Sequence, residues 1–428
     1  MQLRDYQERA AVQGLDILRR LHIVYLVMEV RTGKTLTALT IAQRYGAQRV
    51  LFLTKKKAIA SVQNDYEKFG FDFELIVIND ESLHKVEGDF DLLIRDEHHR
   101  SGGFPEPGKA TVQIKQRYSH LPMIFLSGTP APETWTQIYH QFWVSDYSPF
   151  KRWPRFHRGR RETAWAHEFV NVCKLDYGRG PVNDYTRARE AKIIDHINPY
   201  LVRLSQAQAG FKSKITEHFI KVHMSPRTER ICHLLETQHV VQGKTNCISA
   251  DTAVSLQQKL HQLWSGTIIF DKIDPAQADA DRARAVIDDS KARVIQNRWG
   301  SAKIAIFYVY KHELAAIQSV LKGRVTTDID EFKATDKSIA LQIVSGREGV
   351  NLSEAEALVF YNISFSATSY WQARDRMTTA DRAESQVYWL FAHGGIEEKI
   401  YAAVANKKKY TVRMFKRDYG FSERRQIA

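Results

Sequence analysis

The sequence predicts an α/β protein built on two separate parallel sheets. Three observations predict it. Short runs rich in Val, Ile, Leu and Phe recur between helix-like stretches: HIVYLVM, RVLFLT, FELIVI, DLLIRDE and MIFLSGT all fall between residues 22 and 129. A second series follows, with KIAIFYVY from Lys303, SIALQIVSG from Ser338, ALVFYNI from Ala357 and SQVYWLFA from Ser385. Such runs are predominantly apolar because helices cover both faces of a parallel sheet. Third, the motifs capable of chemistry stand at the carboxyl ends of the runs, where open α/β sheets bind their ligands.

The bulk properties agree. A chain of 428 residues accommodates two or three domains at roughly 100–200 residues each, and a hydrophobic share of 43% gives each a core. The net charge of +13 favours polyanionic partners. Cys173, Cys232 and Cys247 are odd in number, dispersed and without a CxxC, so neither a zinc site nor a disulfide framework is expected. MQLRDYQERA holds no apolar signal segment, and the run around Ile23–Met28 is too short to span a bilayer. The expectation is an intracellular, cytoplasmic protein (host cytoplasm if viral) without a membrane partner.

Along the chain, residues 1–142 form the first expected lobe. Residues 143–214 read as a basic insertion and linker, because KRWPRFHRGRR and YGRGPVNDY bring Pro, Gly and dense charge. Residues 215–428 form the second lobe, with a helical insertion at about 226–300 and a basic C-terminal tail. GIEEKIYAAVANKKKY reads as an amphipathic helix ending in Lys407, Lys408 and Lys409, an arrangement that helix electrostatics alone would favour.

MEVRTGKTLTAL holds the first chemical motif. Thr32, Gly33, Lys34 and Thr35 follow a strand and open a helix, the context a phosphate-binding loop requires. Backbone N–H groups there face phosphate oxygens, Lys34 reaches the β- and γ-phosphates, and Thr35 holds Mg²⁺. Met28 and Arg31 stand where such loops usually have glycines. A left-handed backbone at Arg31 would cost energy that Gly avoids, so a differently shaped loop is expected.

About sixty residues later, Asp96-Glu97-His98-His99 ends DLLIRDE. Asp96 is read as the magnesium carboxylate and Glu97 as the base that orients and deprotonates water. A zinc site at His98-His99 is not expected, since neighbours on an extended strand point to opposite faces. Ser127-Gly128-Thr129-Pro130 ends the next strand and offers hydroxyls that could pass phosphate status onward. The cofactors implied are ATP and Mg²⁺.

KRWPRFHRGRR places six Lys/Arg residues around Trp153 and Phe156. Lys151, Arg152, Arg155 and Arg158 suit phosphates, and Trp153 suits base stacking; a solvated loop is the alternative. Arg413, Lys416, Arg417, Arg424 and Arg425 make the C-terminus basic as well.

With these motifs in order, the chain resembles the superfamily 2 helicases and translocases, most closely compact, phage- or bacterial-like members of the Swi/Snf type, over nearly its whole length. LRDYQ, Leu3 to Gln7, is similar to the adenine-reading motif, with Gln7 the base contact and Arg4 beside it. MEVRTGKT, DEHH and SGTP resemble motifs I, II and III. LFLTKKKAIASVQNDYEKF from Leu51 resembles motif Ia, which would put Thr54 and Lys55 near a nucleic-acid strand. KIAIFYVYKHELAAIQSVL resembles motif IV, SGREGVNL motif V with Gly349 at the nucleotide, and YWQARDR motif VI; GIEEKI resembles the element that follows. The resemblance implies two RecA-like lobes in tandem with ATP bound between them, and Gln372 and Arg376 reaching the γ-phosphate. The family's second motif VI arginine is replaced by Thr379, for which Arg374 or Arg382 are candidate substitutes.

The activity implied is nucleic-acid-stimulated ATP hydrolysis driving translocation on DNA, duplex or branched, with unwinding or branch remodelling as outputs. The residues themselves do not separate DNA from RNA. Two alternatives stand beside it: a motor subunit active within a larger restriction or recombination assembly, with protein partners, and a nucleic-acid-binding protein with a degenerate ATP site.

Overall fold

The computed structural model describes residues 3–132, 134–153, 164–176, 181–211, 214–243, 246–271, 284–343, 352–374, 384–406 and 410–419. The chain divides into two compact units, Met1–Phe211 and Lys212–Ala428.

The first unit opens with helix α1 (Asp5–Leu21). Asp5 and Glu8 lie in its first turn and Arg19 and Arg20 in its last, which complements the helix dipole. Its buried stripe, Gln7, Ala10, Ala11, Gly14, Ile17 and Leu18, follows the helical period. A Cβ at Gly14 would come within 2.6 Å of Ile41 Cδ1, so glycine lets the next helix approach. Then come β1 (Ile23–Met28), α2 (Lys34–Tyr45), β2 (Arg49–Thr54), α3 (Ile59–Phe69), β3 (Glu74–Asn79), β4 (Leu92–Arg95), α4 (Lys109–Tyr118) and β5 (Met123–Ser127). After them follow α5 (Ile138–Trp143), α6 (Ala164–Phe169), β6 (Cys173–Asp176), β7 (Pro181–Asp184), α7 (Glu190–Ile197) and β8 (Leu201–Leu204).

Six of these strands form one parallel sheet in the order β3-β2-β4-β5-β1-β8. The five apolar runs read from the sequence are its first five strands. Alternate residues of each run feed different cores: Ile23, Tyr25, Leu51, Leu53 and Phe125 on one face, Val24, Leu26, Val50, Phe52 and Leu126 on the other. Two covered faces explain why the runs are predominantly apolar. Fully burying each such side chain contributes about 1.5–3 kcal/mol.

The region from residue 143 onward, read as an insertion at the end of the first lobe, packs into the first unit, which runs to Phe211. Phe150, Trp165, Phe169, Ile193 and Ile197 join the first core, and β8 is an edge strand paired with β1. The region read as insertion and linker thus belongs to the first unit, because its aromatic residues need that core for burial.

The second unit runs β9 (Lys214–Val222), α8 (Pro226–Gln238), β10 (Val240–Gln242), β11 (Cys247–Ser249), α9 (Ala253–Leu263), β12 (Thr267–Ile269), β13 (Arg284–Val286), α10 (Ser290–Trp299), β14 (Ala305–Tyr308), α11 (Lys311–Leu321), β15 (Val325–Thr326), α12 (Ile329–Ala334), β16 (Ser338–Gln342), β17 (Ala357–Phe360), α13 (Ala367–Arg374), β18 (Glu384–Ala392), α14 (Glu397–Ala405) and α15 (Val412–Tyr419). Its parallel sheet has the order β15-β16-β14-β17-β18-β9. Residues 226–300, expected to be mostly helical, also hold two small antiparallel ribbons, β10–β11 and β12–β13. Each unit is a six-stranded parallel α/β sheet flanked by helices. No helix among the described residues is long and apolar enough to cross a membrane.

Candidate active site

β1 and β4 are separated in the sheet only by β5, so the ends of MEVRTGKT, DEHH and SGTP converge on one edge of the first unit. The candidate phosphate loop leaves β1 at Met28, and α2 begins at Lys34 with Gly33 before it in the left-handed region (φ 86°). Arg31 also takes a left-handed backbone (φ 65°). The loop therefore adopts the conformation glycine would have supplied, in spite of the missing glycine.

The loop is held from several sides. Thr32 Oγ1 donates to the Glu29 carbonyl at 2.8 Å. Lys34 Nζ donates to the carbonyls of Met28 (2.9 Å) and Glu29 (3.2 Å). Gln7 lies against the loop, its Nε2 donating to the Thr32 carbonyl at 3.2 Å and its Oε1 accepting from Arg4 N–H at 2.9 Å. A Cβ at residue 33 would sit 1.9 Å from Gln7 Nε2, so Gly33 is required by close approach as well as by φ. Arg4 Nη1 donates to the Tyr6 hydroxyl. Thr35, half-buried, is the second residue of α2.

Asp96 follows β4. Its Oδ1 accepts from the Glu97 N–H at 2.9 Å and its Oδ2 from the Thr54 hydroxyl at 3.1 Å. Burial, with the neighbouring Glu97 carboxylate second, raises its pKa to about 6; the Lys34 charge opposes this. The loop lysine is thus close enough to act on the motif II carboxylate. Glu97 is a second non-glycine residue with positive φ (47°). Its Oε2 lies 3.3 Å from His99 Nδ1, which is 3.0 Å from Ser127 Oγ, and Ser127 Oγ accepts from Thr129 N–H at 3.1 Å. A polar chain therefore links the candidate base to SGTP.

His98 and His99 sit in a 3₁₀ turn, His98–Ser101, instead of on extended strand, but still diverge. His98 stacks on Phe125 at 3.6 Å and meets the Gln141 carbonyl at 2.7 Å; burial holds its pKa well below the usual histidine value. No cluster of three His, Cys, Asp or Glu suited to a metal occurs among the described residues.

Two expected nucleic-acid contacts lie elsewhere. Thr54 is 3% exposed with its hydroxyl on Asp96, which puts it beside the motif II carboxylate instead of on a strand-facing surface. Trp153 packs edge-on against Phe169 and His196, and its carbonyl accepts from Tyr139, so this indole serves the core and does not stand out as a stacking platform. Lys55 is half-buried; Lys151 and Arg152 are exposed. Arg155 and Arg158 lie outside the described residues, as do Gly349, Arg376, Thr379 and Arg382. Gln372 is on α13, with its side chain outside the description. Arg374 lies over the Trp371 ring at 4.2 Å and 3.8 Å from Glu217, so its guanidinium is engaged within its own unit.

Several supporting residues carry no sequence signal. Gln141, fully buried, accepts from Tyr25 of β1 at 2.6 Å and donates to the Pro130 carbonyl at 2.7 Å, tying β1, motif II and motif III together. Glu217 accepts from Tyr370, Trp389 and Tyr401. Glu217 lies far along the chain from the residues it supports, and Gln141, though close behind Pro130, follows no motif spacing.

Residues 1–74 match the family model described as the res subunit of type III restriction enzymes. A search of curated proteins finds no match. Among solved structures, the SWI2/SNF2 ATPase core of Sulfolobus solfataricus in complex with dsDNA is 15% identical, with 99% of this chain and 95% of that one covered and a TM-score of 0.39. The core domain solved alone is 16% identical, with 95% and 89% covered and a TM-score of 0.37. The chain is similar to SWI2/SNF2 ATPase cores. The family match falls on the part that holds Gln7 and the loop from β1 to α2.

Proposed function

We propose that the chain is a nucleic-acid-stimulated ATPase that translocates on DNA. The observation that carries this is the convergence of Lys34, Asp96, Glu97, His99 and Ser127 on one sheet edge, with Lys34 acting electrostatically on Asp96. Lys34 is assigned to the β- and γ-phosphates and Glu97 to the attacking water. His99 would report the state of Glu97 to Ser127 and Thr129. The similarity to a core solved with dsDNA supports DNA as the partner, and the net charge of +13 suits any polyanion.

The donor set fits Mg²⁺. The Thr35 hydroxyl and a buried Asp96 carboxylate are hard oxygen ligands, and a carboxylate with a raised pKa gains from a cation beside it. Bound there, the ion would neutralise charge on the phosphate oxygens. Thr54 and the Glu97 N–H fix the carboxylate that would hold it. From the second unit, Gln372 and Arg376 are assigned to the γ-phosphate on the resemblance, and Arg374 is not available as the second arginine while it stacks on Trp371.

The test is phosphate release by the purified chain without nucleic acid and with single-stranded, duplex and branched DNA and RNA. Stimulation by duplex or branched DNA, abolished by Lys34→Ala and Glu97→Gln, is the expected outcome. ATP binding without stimulated release under every condition would favour the degenerate-site reading, for which the missing loop glycines, with Met28 and Arg31 in their places, and Thr379 in place of an arginine are the motivating observations.

A further inference from the structure

Gln206 closes a bridge onto the phosphate loop that neither motif spacing nor chain order suggests. β8 lies beside β1 with Leu204 opposite Met28, so the turn leaving β8 meets the loop leaving β1. The Glu29 N–H donates to the Leu204 carbonyl at 2.9 Å. The Gln206 N–H donates to Glu29 Oε2 at 2.6 Å, and Gln206 Nε2 donates to the Val30 carbonyl at 3.0 Å. Gln206 is itself fixed, because the Phe211 N–H donates to its carbonyl at 3.0 Å. The two loop residues it grips are the two immediately before Arg31.

Arg31 is where the loop is strained. A left-handed backbone crowds the Cβ of any residue but glycine, and such conformations persist only where the surroundings over-determine them. On the near side of Arg31 the loop is fixed by Gln206, and on the far side by Gln7 through Thr32 and Gly33.

We propose that Glu29 and Gln206 are positioning residues that keep the phosphate loop in its binding shape, replacing the conformational freedom of the glycine that Arg31 displaces. The proposal rests on the reading of this loop as the nucleotide site, and adds how the loop is held. Without the bridge, the unstrained conformations of Arg31 become the major population. The binding-competent loop is then a minor state, and apparent nucleotide affinity falls by the competent fraction. A left-handed penalty of the usual size corresponds to about a five- to thirtyfold loss. Turnover at saturating ATP is unaffected, since the bound loop is the same.

The test is a double-mutant cycle on the full chain. Binding of a fluorescent ADP derivative is measured for wild type, Gln206→Ala, Arg31→Gly and the double variant, alongside kcat and KM for ATP and the midpoint of thermal unfolding. Gln206→Ala keeps the N–H that Glu29 accepts and removes the Nε2 contact to the Val30 carbonyl, so it is expected to weaken binding and raise KM about fivefold with kcat and folding retained. In the Arg31→Gly background the same substitution should cost less than about twofold, because glycine needs no brace. An equal loss in both backgrounds, or none in either, overturns the proposal. If wild type binds no nucleotide, the functional reading fails, and hydrogen exchange at residues 29–33 still decides the inference. Gln206→Ala must then accelerate exchange when residue 31 is Arg and leave it unchanged when it is Gly; any other pattern refutes the brace.

Discussion

Thr54 shows how one hydroxyl can change the reading of a site. At 3% exposure its proton goes to Asp96 Oδ2, and the Glu97 N–H holds the other oxygen. Groups that orient a metal-binding carboxylate typically contribute about 10–100-fold to metal affinity or activity. Thr54→Val, nearly equal in volume, is therefore expected to raise the Mg²⁺ concentration needed for half-maximal phosphate release by at least about tenfold. DNA affinity without nucleotide should be unchanged. An unaltered Mg²⁺ titration with weakened DNA binding would restore Thr54 to the nucleic-acid track. Lys34, Asp96 and Glu97 were legible in the sequence as candidates because the chemistry proposed for them demands fixed residue types at fixed places. Thr54, Gln141 and Gln206 were not, because any residue with a suitable donor could serve, and the partner is set by which strands lie side by side.

Among the elements, the strands most easily read are those buried on both faces. β9 and β8 escaped the sequence reading for physical reasons. β8 is four residues long and carries an exposed Arg203. β9 is an edge strand whose packed face includes Glu217, a charge that breaks the apolar pattern expected of a covered face. That same carboxylate collects Tyr370, Trp389 and Tyr401, so the residue that hides the strand is the one that anchors α13 to it. α10 and α14 are joined by a second buried polar contact: Lys291 Nζ lies 2.7 Å from Glu397 Oε1, both side chains fully buried, and also donates to the Tyr361 carbonyl at 3.2 Å. Removing one partner of such a pair leaves a buried charge without compensation, which costs about 3–5 kcal/mol. Glu397→Ala is expected to destabilise the second unit by that amount in urea denaturation. Joint replacement, Lys291→Met with Glu397→Leu, should recover most of the loss; a single variant as stable as wild type would show that the pair is not closed to water.

For the molecule as a whole, charge and acidity act on both units. His140 in the first unit and His261 in the second are held neutral by burial, with pKa values lowered from 6.5 to about 4 and about 3. Unfolding releases both rings to bind protons near pH 6.5, while the folded chain does not, so the unfolded state gains protons first as pH falls. The stability associated with these rings is fully present above about pH 6.5 and is lost progressively towards pH 4 and pH 3. By pH 5 each contributes a loss of about 2 kcal/mol. Urea midpoints measured from pH 8 to pH 5 should fall, and His261→Gln should flatten the second unit's share; a flat profile in wild type would refute this account. The charge of +13 makes a second prediction. If phosphate contacts dominate, affinity for duplex DNA drops about 10³–10⁵-fold between 50 and 200 mM salt for six to ten contacts. An affinity insensitive to salt would mean that stacking or groove contacts carry the binding.

The strand Leu201–Leu204 also sets an order of events during synthesis. It covers the flank of Ile23–Met28, an early segment that must wait for nearly two hundred further residues to emerge before its neighbour exists. Until then the growing chain presents a bare ribbon edge of Tyr25, Leu26, Val27 and Met28, able to pair with another nascent copy. A version halted at residue 200 should consequently clump where one halted at residue 211 stays dispersed, a contrast that light scattering can read directly.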